Sequence, residues 1–483
     1  MYPPTHSTHR ARSADSGPGT VVVVGLGSSG RSAGRLAAAH GARVIGLDDR
    51  PDASLDLGEV PLADGSSVMN PTVEVYGAET AITLVDNLSA EIDLVVLSPG
   101  VPPDSPILAA CNRARLPVIS EIEFAYRHCS DELPVIAITG TNGKTTTTGL
   151  IAHILNGCGI TSTPCGNYGL PFSEVVLPGN NQAAITIEVS SFQLEEITSF
   201  RPSVSLWLNF APDHLDRYSG LDEYRDAKLR IFDFQRPEDY AIIREGEGVG
   251  DLQAQMYCFS REPNSTAAFR VSEDGELFAG GKAIASLSKT NLRGNHNAEN
   301  LLAAMAAVNL GLGIEFGEMT EAISTYSPPE HRCEFVRELA GRDFINDSKA
   351  TNIHALESSL QAFDQPVVLI VGGKQKGLDY SSLPALVDGR ARHVVTVGEI
   401  ASDLEGLLQR SGFHNTTHAL DLPSAVASAA ALSEQGDVVL FSPGTSSFDM
   451  FSSYEQRGDV FRAAVHDLDE TVFSSTMFNF QTP

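Results

Sequence analysis

Val135-Ile136-Ala137-Ile138-Thr139-Gly140-Thr141-Asn142-Gly143-Lys144-Thr145 decides how the rest of this 483-residue chain is read. The apolar, largely β-branched run at 135–138 predicts a buried strand. It ends in a glycine-containing loop, and a helix is expected from there to about Asn156. Backbone N–H groups at such a helix start can cradle phosphates, the Lys144 ammonium adds a point charge, and the Thr145 hydroxyl can ligate Mg²⁺. Gly140, Thr141, Asn142, Gly143, Lys144, Thr145 and Thr146 are therefore the expected phosphate-binding residues. The loop is shorter than the full G-x-x-x-x-G-K-[ST] pattern, because only Thr141 and Asn142 separate the two glycines.

Upstream, residues 20–24 form a β-branched run that leads into Gly25-Leu26-Gly27-Ser28-Ser29-Gly30. An Ala-rich helix to His40 and a strand at 42–47 follow. Asp48 lies at the end of that strand. Another strand at 93–97 ends in Ser98-Pro99-Gly100. G-x-G-x-x-G between strand and helix, with an acid after the second strand, is the dinucleotide-binding spacing. It admits NAD, another diphosphate such as a nucleotide sugar, or a bare tight turn.

Downstream, strands are expected at 184–189 and 203–209, short strands and turns at 240–288, and a helix at 297–310. A turn-rich break at 326–330 precedes a third alternating unit with strands at 344–346, 367–371, 394–397 and 438–441. Alternating strands and helices predict an α/β protein with parallel sheets. At about 100–200 residues per domain the length allows roughly three. The expected division is an N-terminal extension at 1–19 and units at 20–122, 123–328 and 329–483. The segments starting at Asp93 and Asp437 echo each other, both ending Ser-Pro-Gly, as two similar strand-to-turn solutions.

The formal charge of −28 argues against nucleic acid as a partner, although a local cationic site can still take a small anion. The six cysteines show no Cys-x-x-Cys spacing, which predicts reduced thiols and a cytoplasmic setting. Residues 1–19 lack the apolar core of a signal peptide, and no uninterrupted apolar run reaches membrane-spanning length, the nearest being 301–314. No membrane insertion is expected.

A Mg²⁺–nucleotide site needs further ligands near strand ends. Glu188 follows the strand at 184–187. His214 lies in Asn209-Phe210-Ala211-Pro212-Asp213-His214-Leu215-Asp216, just after another strand. Each alone is explained by a sheet-end carboxylate or a core histidine. With the Lys144 loop they become expected metal ligands.

Taken with Asp347-Ser348-Lys349-Ala350-Thr351-Asn352 and Ser442-Pro443-Gly444-Thr445-Ser446-Ser447-Phe448-Asp449, these segments make the chain resemble the Mur ligase family from about residue 20 to 465. The Lys144 loop and the His214 segment are shared with folylpolyglutamate synthases. The latter two segments point to the D-glutamate-adding branch.

The resemblance implies an N-terminal Rossmann-like domain for the UDP part of UDP-N-acetylmuramoyl-L-alanine, a central P-loop ATPase-like domain and a C-terminal Rossmann-like domain for D-glutamate. It implies ATP-dependent amide formation through an acyl phosphate in peptidoglycan precursor synthesis, two Mg²⁺ ions and a monomer. Lys144 would contact the ATP phosphates. Thr145 and Glu188 would hold one Mg²⁺, and His214 a second. Lys228 would be carbamylated and serve the metals, and Asn167 would lie near substrate and γ-phosphate. Asn297 and Asn300 match adenine-side positions, with Asn297 also expected as a helix cap. Arg332 would reach the γ-phosphate, and Asp347 the ribose.

The resemblance assigns D-glutamate to Lys349, Thr351, Lys376, Ser447, Phe448 and Tyr454. Tyr454 departs from the family's phenylalanine, and Lys374 competes with Lys376 for the side-chain carboxylate. The sugar nucleotide falls to Ser28, Ser29, Asp48, Arg50, Ser98 and Gly100. A diamino-acid-adding ligase would carry an Asp-Asn-Pro-Arg-type segment, which this sequence lacks. An NAD-dependent oxidoreductase leaves the Lys144 loop, Glu188 and His214 without a use. A non-enzymatic nucleotide-binding regulator is the remaining alternative.

Overall fold

Parallel pairing dominates all three large sheets, as the alternating pattern requires. The computed structural model describes residues 19–50, 54–69, 71, 73–213, 217–262, 265–292, 295–327, 330–363 and 365–469. The expected extension, except Gly19, and His214 lie outside the described residues, as does part of the break at 326–330.

The first sheet runs Glu74–Gly77, Arg43–Asp48, Thr20–Val24, Leu94–Leu97, Val118–Ser120, all parallel. Val21–Val24 are buried on both faces, which explains an unbroken valine run in place of alternation. The motif after this strand starts the helix Ser28–Ala39. Gly30 has no room for a side chain, since a Cβ there would lie 2.0 Å from the Gly25 carbonyl oxygen.

The central sheet has nine strands, with Val135–Thr139 between Val204–Trp207 and Ile185–Glu188. Seven of its strands pair in parallel, the last of them Phe269–Val271, and two antiparallel strands, Glu276–Ala279 and Lys282–Ser286, extend that edge. The helices Lys144–Gly157 and Asn295–Leu312 pack together on one face over Ile136, Ile138, Leu206 and Ile242. The latter helix begins two residues before Asn297, so Asn297 sits inside the first turn and is not its cap.

The third sheet runs Glu334–Leu339, Arg342–Asn346, Val438–Phe441, Val367–Val371, Ala391–Val397, Thr416–Ala419, with only the first strand antiparallel. The two echoing segments sit on interior strands of different sheets, each followed by its Ser-Pro-Gly turn.

The helix Glu121–Arg127 spans the expected boundary at 122–123. Its fully buried Glu123 carboxylate accepts the backbone N–H groups of Thr198 (3.1 Å), Ser199 (3.0 Å) and Phe200 (2.8 Å). Around this helix one apolar core continues from Val21 and Leu36 of the first unit to Ile187, Phe200 and Trp207 of the central one. The C-terminal sheet has its own cores. Among the described residues no helix is long and apolar enough to cross a membrane, and all six cysteines are free thiols.

Candidate active site

The Gly140–Lys144 loop is shaped by its glycines and fastened by Asn209. Gly143 takes φ +83° at the helix start, and a Cβ there would strike Asn300 Oδ1 at 2.4 Å. Only glycine combines that dihedral with that close approach. Asn209 accepts the Asn142 N–H at Oδ1 (2.9 Å) and donates from Nδ2 to the Asn142 carbonyl (3.1 Å). The Thr141 hydroxyl donates to the Ala211 carbonyl (3.0 Å). The loop is therefore pre-formed against the segment that leads to Asp213.

Two lysines meet on one carbonyl. Lys144 Nζ donates to Gly140 O (2.9 Å) and Thr141 O (2.8 Å), and Lys228 Nζ donates to the same Gly140 O (2.9 Å). Lys228 is buried and lies over the Tyr224 ring at 4.8 Å. Burial, and secondly the Lys144 charge, push the Lys228 ammonium well below the ordinary lysine range. Burial lowers Lys144 too, opposed by the charges of Glu188 and Asp213.

Glu188 is buried at the end of the strand Ile185–Glu188. Thr145 Oγ1 donates to its Oε2 (2.8 Å) and Asn167 Nδ2 to its Oε1 (2.7 Å). Carboxylate and hydroxyl oxygens side by side in a buried site are the hard donors that Mg²⁺ prefers, so Glu188 and Thr145 fit the ion. His214 lies outside the described residues.

The C-terminal unit closes over this loop. Arg332 Nη2 donates to Thr145 Oγ1, and Asn142 Nδ2 lies 2.7 Å from His354 Nδ1. Lys376 Nζ pairs with Asp213 Oδ1 at 2.7 Å, and Asn352 Nδ2 donates to Asp213 Oδ2 at 3.0 Å. Lys374 is exposed, so Lys376 is the lysine of this loop that points to the interdomain face.

Lys349 Nζ stands 3.8 Å from the centre of the Tyr454 ring, a cation–π contact that a phenylalanine would also make. Burial, then the Arg332 charge, bring Lys349 down to about 8. Thr351 is half-buried and Ser447 buried, whereas Phe448 stays exposed.

Between the two units lies a cavity of about 190 Å³, bordered by Asn142, Gly143, Thr146, Asn297, Asn300, Arg332, Asp347 and Lys349. Asp347 is held by the Cys333 N–H (3.1 Å) and by the Ser442 (3.0 Å) and Ser359 hydroxyls. Burial raises its carboxyl to about 6 against those hydrogen bonds. Arg244, Glu299 and His354 also border the cavity, and Arg244 Nε donates to Glu299 Oε1 (2.9 Å). Sequence reasoning missed these three, along with Asp213 and Asn352. Asp213 and Asn352 lay within quoted motifs, which was the available signal.

A second cavity, of about 420 Å³, opens at the carboxyl ends of the first sheet, between Ser28, Ser29, Asp48, Arg50, Ser98 and Gly100. All six expected sugar-nucleotide residues border it. Asp48 Oδ2 accepts the Leu26 N–H (2.8 Å), and its carboxylate pairs with Arg50, whose Nε lies 2.8 Å from Oδ1. The Arg50 hydrogen bond outweighs burial and holds Asp48 at about 2. The Ser98 hydroxyl donates to Gly25 O (2.6 Å), closing the motif on the neighbouring strand end.

Comparison with known proteins agrees with this geometry. Residues 138–308 match the Mur ligase middle domain, and 331–444 the Mur ligase glutamate ligase domain. A UDP-N-acetylmuramoylalanine–D-glutamate ligase of Geobacter metallireducens is 40% identical over 459 residues, covering 93% of this chain and 97% of that protein. The like-named ligase of Koribacter versatilis is 38% identical over 458 residues, covering 93% and 98%. The solved UDP-N-acetylmuramate-alanine ligase of Thermotoga maritima shares the fold, with a TM-score of 0.58 at 19% identity, over 92% of this chain and 99% of that one. Identity at this level along almost the whole of both chains settles the relationship: this chain belongs to the Mur ligase family, among its UDP-N-acetylmuramoylalanine–D-glutamate ligases.

Proposed function

We propose that the chain joins D-glutamate to UDP-N-acetylmuramoyl-L-alanine, with ATP activating the alanine carboxylate as an acyl phosphate. The observation that carries this reading is the meeting of two halves. Lys349, Lys376 and Arg332 of the C-terminal unit reach Thr145 and Asp213 of the phosphate-binding unit, or feel the charges of Lys144 and Glu188 there.

A carboxylate oxygen is a poor leaving group, so the acid must be phosphorylated before an amine can displace it. Negative charge accumulates in both steps, and fixed cations at the reacting atoms are the appropriate device. The helix start at Gly143–Thr146 and Lys144 bind the phosphates. Arg332 faces the γ-phosphate from the opposite wall. Asn297 and Asn300 line the base side, and Asp347, fixed by Cys333 and Ser442, meets the ribose. Asn167 orients Glu188 beside the reacting groups. Mg²⁺, held by Thr145 and Glu188, with His214 and a carbamate on Lys228 serving a second ion, would supply charge neutralisation.

D-glutamate carries two carboxylates, which fall to Lys349, Lys376, Thr351 and the Ser447–Phe448 turn, with Tyr454 supporting Lys349. In the N-terminal unit, the first N–H groups of the Ser28–Ala39 helix take the diphosphate. Asp48 and Arg50 read the uridine, and Ser98 and Gly100 form the opposite wall. The division at 122–123 and 328–329 follows these three tasks. We place the enzyme in the cytoplasm as a monomer.

Phosphate release from ATP is expected only when both the muramoyl-alanine nucleotide and D-glutamate are present, with mass spectrometry identifying the amide product. Strong turnover with L-glutamate or a diamino acid in place of D-glutamate would reject the assignment of substrate.

A further inference from the structure

Asn352 ends the segment that holds Lys349 and Thr351, and the reaction as described leaves it unused. It is 3% exposed and its side chain meets three separate segments. Oδ1 accepts the Ala355 N–H (2.8 Å), capping the helix Ile353–Leu360. The same oxygen lies 3.5 Å from Asn142 Nδ2 of the phosphate-binding loop. Nδ2 donates to Asp213 Oδ2 (3.0 Å), while the other oxygen of Asp213 holds Lys376.

A helix cap needs only an acceptor oxygen, which Ser or Asp supplies as well as Asn. The cap therefore leaves the amide donor unexplained. Only an amide offers an acceptor to its own helix and a donor to a buried carboxylate from one rigid group. That carboxylate also sets the position of Lys376, so one side chain ties both expected glutamate-binding lysine segments to the central unit.

We propose that Asn352 is a positioning residue that couples the acceptor site to the phosphoryl site, keeping the C-terminal unit closed while the acyl phosphate exists. This rests on the reaction proposed above. An acyl phosphate exposed to solvent is lost to hydrolysis: water adds to the acyl carbon, the acyl–oxygen bond to phosphate breaks, and free acid and inorganic phosphate result. Closure reserves the acyl carbon for the amine.

Asn352→Asp and Asn352→Ser both keep a cap acceptor and remove the amide N–H that reaches Asp213, the serine hydroxyl being a shorter group on a single atom, and the aspartate also sets a second carboxylate beside Asp213. The melting temperature of Asn352→Ser is expected to stay near that of the wild type. For both variants the KM for D-glutamate is expected to rise roughly tenfold to a hundredfold, the worth of one charge-assisted hydrogen bond. The KM for ATP should move far less. Released phosphate should exceed amide product, where the wild type gives one for one. Ligand-free Asn352→Asp should also show a larger radius of gyration by small-angle scattering. An unchanged KM for D-glutamate with one-for-one stoichiometry would overturn the inference. So would a parallel rise in the KM of all three substrates with a lowered melting temperature, because that describes a merely structural residue. If the wild type makes no amide with D-glutamate, the proposed reaction falls, and scattering still decides whether Asn352 holds the units together. Should Asn352→Asp fail to fold, Asn352→Ser carries the kinetic and scattering tests.

Discussion

Lys144→Ala is expected to lower phosphate release and amide formation by about a thousandfold or more, the scale on which loss of one fixed transition-state partner is felt. Lys144 Nζ rests on the carbonyls of Gly140 and Thr141, so the ammonium is held within the loop proposed to take the phosphates. Arg332 approaches from the opposite wall at Thr145, and Lys228 is committed to Gly140 O, its ammonium disfavoured by burial. Folding is not expected to suffer. Alanine is a better helix former than lysine, and the variant removes a cation that burial already disfavours. A melting temperature at or above the wild type, together with lost turnover, is the combined expectation. Near-normal phosphate release would remove Lys144 from its assigned role.

Lys228→Ala should be comparably inactive, again by about a thousandfold, yet partly restored by a short carboxylic acid such as acetate. Burial that disfavours the ammonium shifts the balance toward the neutral amine, and a neutral amine can add CO₂. The nitrogen bonds the carbon as one C=O π pair moves onto oxygen, and a proton leaves the nitrogen; with the proton the ammonium has already given up, a cation has become an anion. The neighbouring Lys144 charge favours that exchange of sign, and Lys228 feels the charges of Glu188 and Asp213. Alanine leaves a space the length of the lost side chain, which a small carboxylate can enter to supply the missing anion. Titration with acetate, followed by phosphate release, measures the recovery. Full activity of the variant without acid, or a defect that no small acid relieves, would count against the carbamate.

The parts of this molecule that were legible in sequence are those whose chemistry is local. Gly143 announces itself because a single residue must satisfy both a left-handed dihedral and a contact with Asn300. Gly25–Gly30 and the valine run before it are likewise short-range signals. The first-turn position of Asn297 was misread because Asn295 is as good a helix starter, and spacing alone does not choose between them. The antiparallel strand Glu334–Leu339 has no apolar alternation to betray it, since it lies at a sheet edge. Asp213 and Asn352 meet across 139 residues, so neither position carries a trace of the other in its neighbourhood. Glu299 and Arg244 join only because a helix and a strand of one sheet face the same cavity. Such convergence is a property of the fold, and the resemblance to Mur ligases supplied it only for positions matching the shared motifs.

The continuous core around the helix Glu121–Arg127 fixes how this machine measures its donor. On the proposed reading, the cavity of the first sheet that takes the sugar nucleotide and the loop at Lys144 are mounted on one frame, so the stretch from diphosphate to reacting carboxylate would be gauged as by a caliper with locked jaws. A lengthened or shortened sugar–peptide arm has no compensating play at that end. The proposed amino-acid end, clasped to the central unit through polar contacts, would be the end with freedom to give.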